Sequence, residues 1–205
     1  MTVEPGVRVG QDSDASVIER SWDEPEAFAV LFDRHADSVY GYAARRLGAE
    51  AAEDVMAETF TTAFQLRFRY DTALSSARPW LFGITTNLIS RHKRAEARRL
   101  RALGRLPSSA PGDQAEEMVA DRVAARVSAQ ALGRELAGAL ARLPARHRDV
   151  LLLVAWADLG YEEVARALGV PVGTVRSRLH RARRKVREAL GGSDPTTPRE
   201  ESDDE

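Results

Sequence analysis

The stretch YEEVARALGVPVGTVRSRLHRARRKVREAL, residues 161–190, decides the fold. Its pattern predicts a short helix over 161–168, a turn at Gly169-Val170-Pro171, and a second helix from Val172 to about Leu190. Two helices joined by so short a turn form a helix-turn-helix. Apolar residues recur every three or four positions along the second helix, so we expect one side of it to be buried. These residues are Val175, Leu179, Ala182 and Val186.

The opposite side of this second helix is basic. Residues 172–187 contain seven Lys or Arg and no acidic residue, so the exposed face carries a strong positive charge. An α-helix fits the major groove of DNA, where guanidinium groups bind phosphates and base edges. The face therefore indicates DNA as the ligand; the alternative is a basic helix that faces only solvent. Its side chains are Arg176, Ser177, His180, Arg181 and Arg184.

The chain upstream of this motif divides into two parts. The segment GRLPSSAPGDQA, residues 104–115, concentrates Gly, Pro and Ser and breaks every apolar period, which indicates an interdomain linker. The sequence thus predicts an all-α protein of two small helical domains joined by a flexible linker. The predicted ranges are a disordered acidic N-terminus over 1–22, a first domain over 23–103, the linker over 104–128, the helix-turn-helix domain over 129–191, and a disordered acidic tail over 192–205.

The first domain contains three predicted helices. The first starts near Pro25 and ends at Gly48, the second spans roughly 49–66, and the third runs from near Pro79 to about Leu103. The face of the third helix opposite its apolar residues is small and polar, then basic, and we expect it to be exposed. This face comprises Gly83, Thr86, Asn87, Ser90 and Arg94. Taken alone, its basic end suits a solvated helix terminus.

Charge is segregated along the chain. Residues 1–24 contain six acidic and two basic residues, and residues 192–205 contain six and one, which leaves 27 basic and 19 acidic residues, a net charge of +8, for residues 25–191. A basic folded part suits a nucleic-acid partner. One hypothesis is that an acidic tail folds over a basic face and restrains DNA binding; the alternative is that the tails only solvate the chain.

Other classes of function lack the residues that they need. The chain has no cysteine, and its four histidines are scattered without the spacing of metal ligands. No nucleophile–base pair or phosphate-binding loop is evident. The longest apolar run, residues 150–157, is far shorter than the roughly 20 residues of a membrane span. We therefore expect no catalytic residue, no cofactor, no metal and no membrane insertion, in a cytoplasmic protein.

The chain closely resembles a known family in both domains. The segment LPARHRDVLLLVAWADLGYEEVARALGVPVGTVRSRLHRARRKVR resembles the minus-35-binding domain, region 4, of the extracytoplasmic-function sigma factors of the sigma-70 superfamily. The segments FAVLFDRHADSVYGYAARRLG, AEDVMAETF and RYDTALSSARPWLFGITTNLISRHKR resemble the minus-10 domain, region 2, of the same family. The resemblance extends from Phe28 to Leu190. It implies a subunit that directs RNA polymerase core to promoters and supports melting of the minus-10 element.

The resemblance also implies a role for particular residues. The minus-35 set is Thr174, Arg176, Ser177, His180, Arg181 and Arg184. The minus-10 set is Tyr70, Thr86, Asn87, Arg91, Lys93 and Arg94. The set that contacts polymerase core is Glu53, Asp54 and Glu58, with a solvated helix face as the alternative. For Tyr70 two interpretations stand side by side: its ring stacks on an unpaired base, or it caps the core of the domain.

This sequence departs from the family pattern at a few positions. Ala57 stands where Gln is usual, Thr85-Thr86 replace Ala-Arg before Asn87, and Ala77 replaces Phe. The partners that the resemblance implies are promoter DNA, the clamp helices and flap of RNA polymerase core, and an anti-sigma factor. The alternative function is a stand-alone helix-turn-helix regulator, which would explain residues 140–190 but give the first domain no purpose.

Overall fold

The computed structural model describes residues 12–103 and 134–190. Within these residues the secondary structure is helical and no strand is present, which confirms the predicted all-α class. The first domain contains α1 (Asp14–Asp23), a 3-10 turn (Pro25–Phe28), α2 (Ala29–Leu47), α3 (Ala49–Leu66), a second 3-10 turn (Arg67–Arg69) and α4 (Arg78–Ala102). The second domain contains α5 (Arg134–Ala141), α6 (Ala145–Ala155), α7 (Tyr161–Leu168) and α8 (Val172–Ala189).

Helix α1 lies where the sequence predicted a disordered N-terminus, so that prediction is wrong for residues 13–22. The Ser13 side chain accepts a hydrogen bond from the backbone N–H of Ser16 and caps the helix. Val17 and Ile18 are fully buried, and their burial stabilises the helix. The helix has so few apolar residues among its acids that no period is evident in the sequence. Residues 1–11, the predicted linker over 104–128 with residues 129–133, and the acidic tail lie outside the described residues.

Asp14 fastens α1 to the rest of the first domain. Its carboxylate accepts a hydrogen bond from the backbone N–H of Ala77 (2.9 Å) and one from Arg34 (3.1 Å), and Nε2 of His35 lies 2.9 Å from it. Burial alone would raise the pKa of Asp14, but the bonds with His35, Ala77 and Arg34 favour the charged form and lower it to about 2. Three separate segments thus meet at one ionised carboxylate.

The remaining helices of the first domain follow the predicted bounds. Pro25 lies in the 3-10 turn that leads into α2, and Gly48 ends α2 with a φ of 93°, a conformation that favours glycine. Helices α3 and α4 begin and end within a residue or two of the prediction. Phe32 of α2 is 42% exposed and packs edge-on against Phe60 of α3, at the margin of the apolar side of α2.

The helix-turn-helix also has its predicted form. Gly169 ends α7 in the left-handed conformation, with a φ of 62°. Three members of the predicted seam of α8, Val175, Leu179 and Ala182, are buried, and Val186 packs partly buried against the same cluster. The sequence did not predict that this cluster would continue into the first domain, where it includes Tyr42 and Phe82. The two domains therefore share one apolar core.

Replacing Asp14 by Asn should lower the melting temperature of the protein at pH 7 by about 2 to 4 °C, the shift that about 1 kcal/mol produces in a chain of this size whose two domains share one apolar core. Because the folded-state pKa of Asp14 is lowered to about 2, its stabilisation is present above pH 4 and is lost as the pH falls towards 2. The difference in melting temperature between wild type and variant should disappear as the pH falls from 4 to 2. Circular dichroism melts measure it, with Asp37→Asn, an exposed carboxylate on α2, as the control. A gap that does not depend on pH would contradict this role.

Candidate nucleic-acid interface

The exposed face of α8 contains the predicted minus-35 residues. Arg176, Ser177, His180, Arg181 and Arg184 are all exposed on the side opposite the buried seam, and Thr174 is half-buried at the start of the helix. The Ser177 hydroxyl donates to the backbone carbonyl of Thr174, at 3.1 Å, so its oxygen remains open as an acceptor. Arg184 makes a 3.5 Å ion pair with Glu188 that is largely solvent-exposed and therefore weak.

The pKa of a buried histidine close to α8 is lowered in part by the positive charge of this helix. His147 of α6 is 5% exposed, and its pKa is lowered first by burial and then by the charges of Arg146, Lys185, Arg181 and Arg178. Neutral His147 adds no charge of its own to the domain. The cations concentrated on α8 favour an anionic ligand, and the phosphates of DNA fit this requirement.

The predicted minus-10 residues of α4 divide into an exposed and a buried group. Asn87, Arg91 and Arg94 are exposed. Thr86 is only 2% exposed, with its hydroxyl 3.2 Å from that of Tyr42, and Lys93 is 7% exposed. The expected outward position of Gly83 and Thr86 is thus wrong, because Ala167 of the second domain packs on Gly83 and Thr86 turns inward to Tyr42 of α2. The sequence of one helix does not reveal a cover supplied by another domain.

Tyr70 lies in the core of the first domain. It is 7% exposed, its hydroxyl donates a 2.6 Å hydrogen bond to the carbonyl of Leu74, and its ring centroid lies 5.0 Å from that of Trp80. Burial, followed by the charges of Asp14 and Asp71, raises its pKa to about 12. The prediction that this ring stacks on an unpaired base does not hold in this structure, which matches the other interpretation: Tyr70 caps the core.

The acidic residues assigned to polymerase contact lie on one exposed side of α3. Glu53, Asp54 and Glu58 are all exposed. The Glu58 carboxylate makes a 3.4 Å ion pair with Arg91 of α4, in which both side chains are more than half exposed. A groove lined by Asp54, Glu58, Arg91 and Arg94 runs between the two helices. The acidic and the basic surfaces of the first domain therefore adjoin each other, which the sequence did not predict.

An aromatic residue that the sequence analysis missed is exposed before the Tyr70 loop. Phe68 is 59% exposed and lies 6.3 Å from the ring of Trp22. The guanidinium of Arg67 lies 4.2 Å from the centroid of Phe68 and 3.9 Å from that of Phe64. The alternation Arg67-Phe68-Arg69 could have predicted this exposed ring. The two charged neighbours of Phe68 favour solvent, and no residue of this 3-10 turn is buried.

Two family models match the chain in the places where these surfaces lie. The model described as Sigma-70 region 2 matches residues 31–99, and the model described as Sigma-70, region 4 matches residues 133–186. The first match contains α3 and α4, and the second contains the helix-turn-helix. Within the described residues no helix is long and apolar enough to cross a membrane, and no cluster of His, Asp or Glu there could hold a metal ion.

Curated proteins of one kind are similar to this chain. SigE, an ECF RNA polymerase sigma factor of Mycolicibacterium smegmatis, is 37% identical over 83% of the chain, which spans 62% of the length of SigE. SigL, an ECF RNA polymerase sigma factor of Mycobacterium tuberculosis, is 36% identical over 82% of the chain and 90% of SigL. CarQ, an RNA polymerase sigma factor of Myxococcus xanthus, is 33% identical over 81% of the chain and 90% of CarQ.

Solved structures share the fold. CnrH, in complex with the cytosolic domain of CnrY, matches with a TM-score of 0.60 and 24% identity, over 89% of this chain and all of CnrH. RpoE from Bartonella quintana, in complex with the anti-sigma factor NepR, matches with a TM-score of 0.57 and 20% identity, over 85% of this chain and 99% of RpoE.

The basic helix-turn-helix domain and the helical first domain that precedes it define a DNA-binding transcription factor of the sigma-70 type. Within that class, the sequence identity with SigL, which extends over nine-tenths of the length of SigL, identifies the family. The chain belongs to the extracytoplasmic-function family of RNA polymerase sigma factors. The resemblance described above is thereby confirmed.

The position of Tyr70 leads to a prediction about stability. Tyr70→Ala should lower the free energy of unfolding by about 3 kcal/mol or more, because it removes a packed ring and leaves a cavity. Phe68→Ala, two residues earlier, removes an exposed ring and should cost less than about 1 kcal/mol. Urea denaturation of both variants measures the difference. Equal losses would show that Tyr70 is not the core residue of the pair.

Proposed function

We propose that α8 reads duplex minus-35 DNA while α4 holds the unpaired strand of the minus-10 element, so that the chain gives RNA polymerase core its choice of promoter. The observation that carries the proposal is the exposed face of α8, on which Arg176, His180 and Arg181 lie opposite the buried residues Val175, Leu179 and Ala182. A helix of this form presents donors to base edges while its other side remains anchored in the protein.

The chemistry of the minus-35 contact follows from the side chains. Arg176 and Arg181 have the planar fork that binds O6 and N7 of guanine, and such a bidentate contact is worth about 1 to 3 kcal/mol of discrimination against another base. His180 and Ser177 each form single hydrogen bonds to a base or a phosphate. Arg184, near the end of the helix, supplies a phosphate contact that fixes the register of α8 in the groove.

The minus-10 contact depends on the exposed residues of α4. The Asn87 amide has both a donor and an acceptor and pairs with the edge of an unstacked base. Arg91 and Arg94 follow on exposed turns of the same helix and hold the phosphate backbone. We assign no contact with the minus-10 strand to Tyr70, Thr86 and Lys93, because this structure buries all three side chains.

The acidic side of α3 is the proposed contact with polymerase core. Glu53, Asp54 and Glu58 would face the clamp helices of the largest subunit, and the helix-turn-helix domain would meet the flap. RpoE of Bartonella quintana was solved with an anti-sigma factor, and we extend such a partner to this chain. The chain would act in the cytoplasm, without membrane insertion, cofactor or metal and with no catalytic residue of its own.

Transcription in vitro tests the proposal. Purified polymerase core, this protein and a promoter library should give new start sites. Arg181→Ala and Asn87→Ala should each lower initiation at those sites by roughly 5- to 100-fold, because each removes one base contact. The control is Arg20→Ala, an exposed arginine on α1, a helix to which no DNA contact is assigned. If the protein binds selected DNA by itself but gives the core no new start sites, the stand-alone regulator is the correct function.

Reversing one charge on α3 tests the polymerase contact separately. Asp54→Lys should weaken binding of the chain to polymerase core by roughly tenfold, because it sets a cation where a carboxylate meets its partner. Fluorescence anisotropy with labelled protein measures the affinity. Glu135→Lys on α5, an equally exposed carboxylate in the other domain, is the control. Equal affinities of the two variants for polymerase core would contradict the contact and indicate that the acidic side of α3 faces only solvent.

A further inference from the structure

The positive charge of α8 extends beyond its minus-35 face onto the side that packs on α6. Arg178, Arg181 and Lys185 follow one another at steps of three and four residues, so they form one row along the helix. Besides burial, the charges of these three side chains lower the pKa of His147 in α6, which places the row beside that histidine. Arg146 of α6 acts on His147 as well and therefore continues the row onto a second helix.

The row leads into a groove between α5 and the last turns of α8. The groove has a volume of about 430 Å³, and Arg142 of α5 and Lys185 of α8 both line it. Its lining also includes the buried apolar side chains of Ala139 and Leu143. Ala189, the last residue of α8, lies on the groove too, so the chain leaves α8 at this point. We call the four cations beside the minus-35 face the basic flank: Arg142, Arg146, Arg178 and Lys185.

The basic flank has no counter-ion among the residues that the structure describes. Within 12–103 and 134–190, no carboxylate forms an ion pair with any of its four side chains. Residues 134–190 contain twelve basic and six acidic residues, a net charge of +6. Glu188 is the one acid of α8, and it pairs with Arg184 outside the flank. Cations at this density attract an anionic segment that can reach them.

The acidic tail, residues 192–205, is close enough in the chain to reach the basic flank. Five of its six acids lie within residues 200–205. An extended chain advances at most about 3.3 Å per residue, so residue 200 reaches up to roughly 33 Å from Leu190. Arg178 lies twelve residues before Leu190, which is about 18 Å along a helix at 1.5 Å per residue. The tail therefore has the length and the charge to pair with the flank.

We propose that the acidic tail docks on the basic flank and competes with DNA for the cations of α8. The inference rests on the proposed function, because it takes α8 as the minus-35 helix. A tethered segment acts at an effective concentration of about 1 mM, so a tail that binds with a dissociation constant of about 0.2 mM occupies the flank for roughly five-sixths of the time. Its carboxylates and the phosphates of the duplex then compete for Arg181 and the cations beside it. Solvent-exposed pairs of this kind are screened by salt.

A spin label on the tail tests the docking directly. The chain has no cysteine, so a nitroxide attaches only at an introduced Ser202→Cys. At about 50 mM salt the label should broaden the backbone amide NMR signals of Arg142, Arg178 and Lys185, because the tail lies against them, and about 1 M salt should remove this broadening. The signals of Asp158 and Glu162, exposed acids of the same domain, should stay sharp.

Two matched pairs of substitutions on α8 locate the docking site. Arg178→Gln with Lys185→Gln removes two cations of the basic flank and should abolish the broadening at Arg142. Arg183→Gln with Arg187→Gln removes the same charge from the opposite side of α8 and should preserve it. Glutamine favours a helix, so both pairs should leave α8 folded. Equal broadening at the flank and at the acidic controls would overturn the docking. Broadening only between a labelled and an unlabelled copy would assign the tail to a second molecule and overturn it too.

DNA affinity tests the competition. A full-length variant in which every acid of the tail is replaced by its amide should bind a fluorescein-labelled duplex of mixed sequence roughly sixfold more tightly than wild type at about 50 mM salt. The two affinities should converge at about 0.3 M salt, where the tail is released. Docking with unchanged DNA affinity of the variant would overturn the competition. Since the label experiment contains neither DNA nor polymerase, failure of the transcription experiment remains a separate result.

Discussion

The arrangement of the two domains depends on a pair of charges removed from water. Arg46 and Asp149 meet at 2.6 Å inside an interface in which the arginine side chain is almost wholly buried. Separating such a pair without solvating it leaves an uncompensated charge in a medium of low dielectric constant, which costs several kcal/mol. The Arg46–Asp149 pair therefore resists partial opening of the interface between the two domains.

The surfaces with functional roles are sorted by charge onto separate helices. Helix α8 presents cations without an acid until Glu188, the second half of α4 presents arginines, and α3 presents acids beside α4. On the proposed function, an acidic α3 would repel the phosphates that the neighbouring basic surface attracts, and so it would confine the strand to α4. The same acids would attract a basic surface on polymerase core. This separation of charge would let one small domain bind a protein and a nucleic acid at once.

Sequence reasoning succeeded where a local rule fixes the outcome and failed where distant segments meet. The seam of Val175, Leu179 and Ala182 follows from the 3.6-residue period, and Gly169 from the left-handed turn it occupies. The α1 helix was missed because its acidic composition is typical of disorder. Its cap at Ser13 and its few apolar residues stabilise a helix only when those residues pack into the core of the first domain. Gly83 was expected outside because its cover comes from Ala167 of α7, about eighty residues later in the chain, and Thr86 was expected outside although its hydroxyl meets that of Tyr42 in α2.

The sequence by itself determined the all-α class, the bounds of α2 to α4, α7 and α8 to within a few residues, the helix-turn-helix and its basic face, and through its motifs the family. These properties depend on the order of residues within one helix or one turn, where the period and the caps act over a few positions. Only the tertiary structure decided that Tyr70 belongs to the core, that Asp14 ties three segments together, and that the two domains close on each other through Gly83 and Arg46–Asp149. Such contacts join residues far apart in the chain, and their energies depend on burial, which no local pattern specifies.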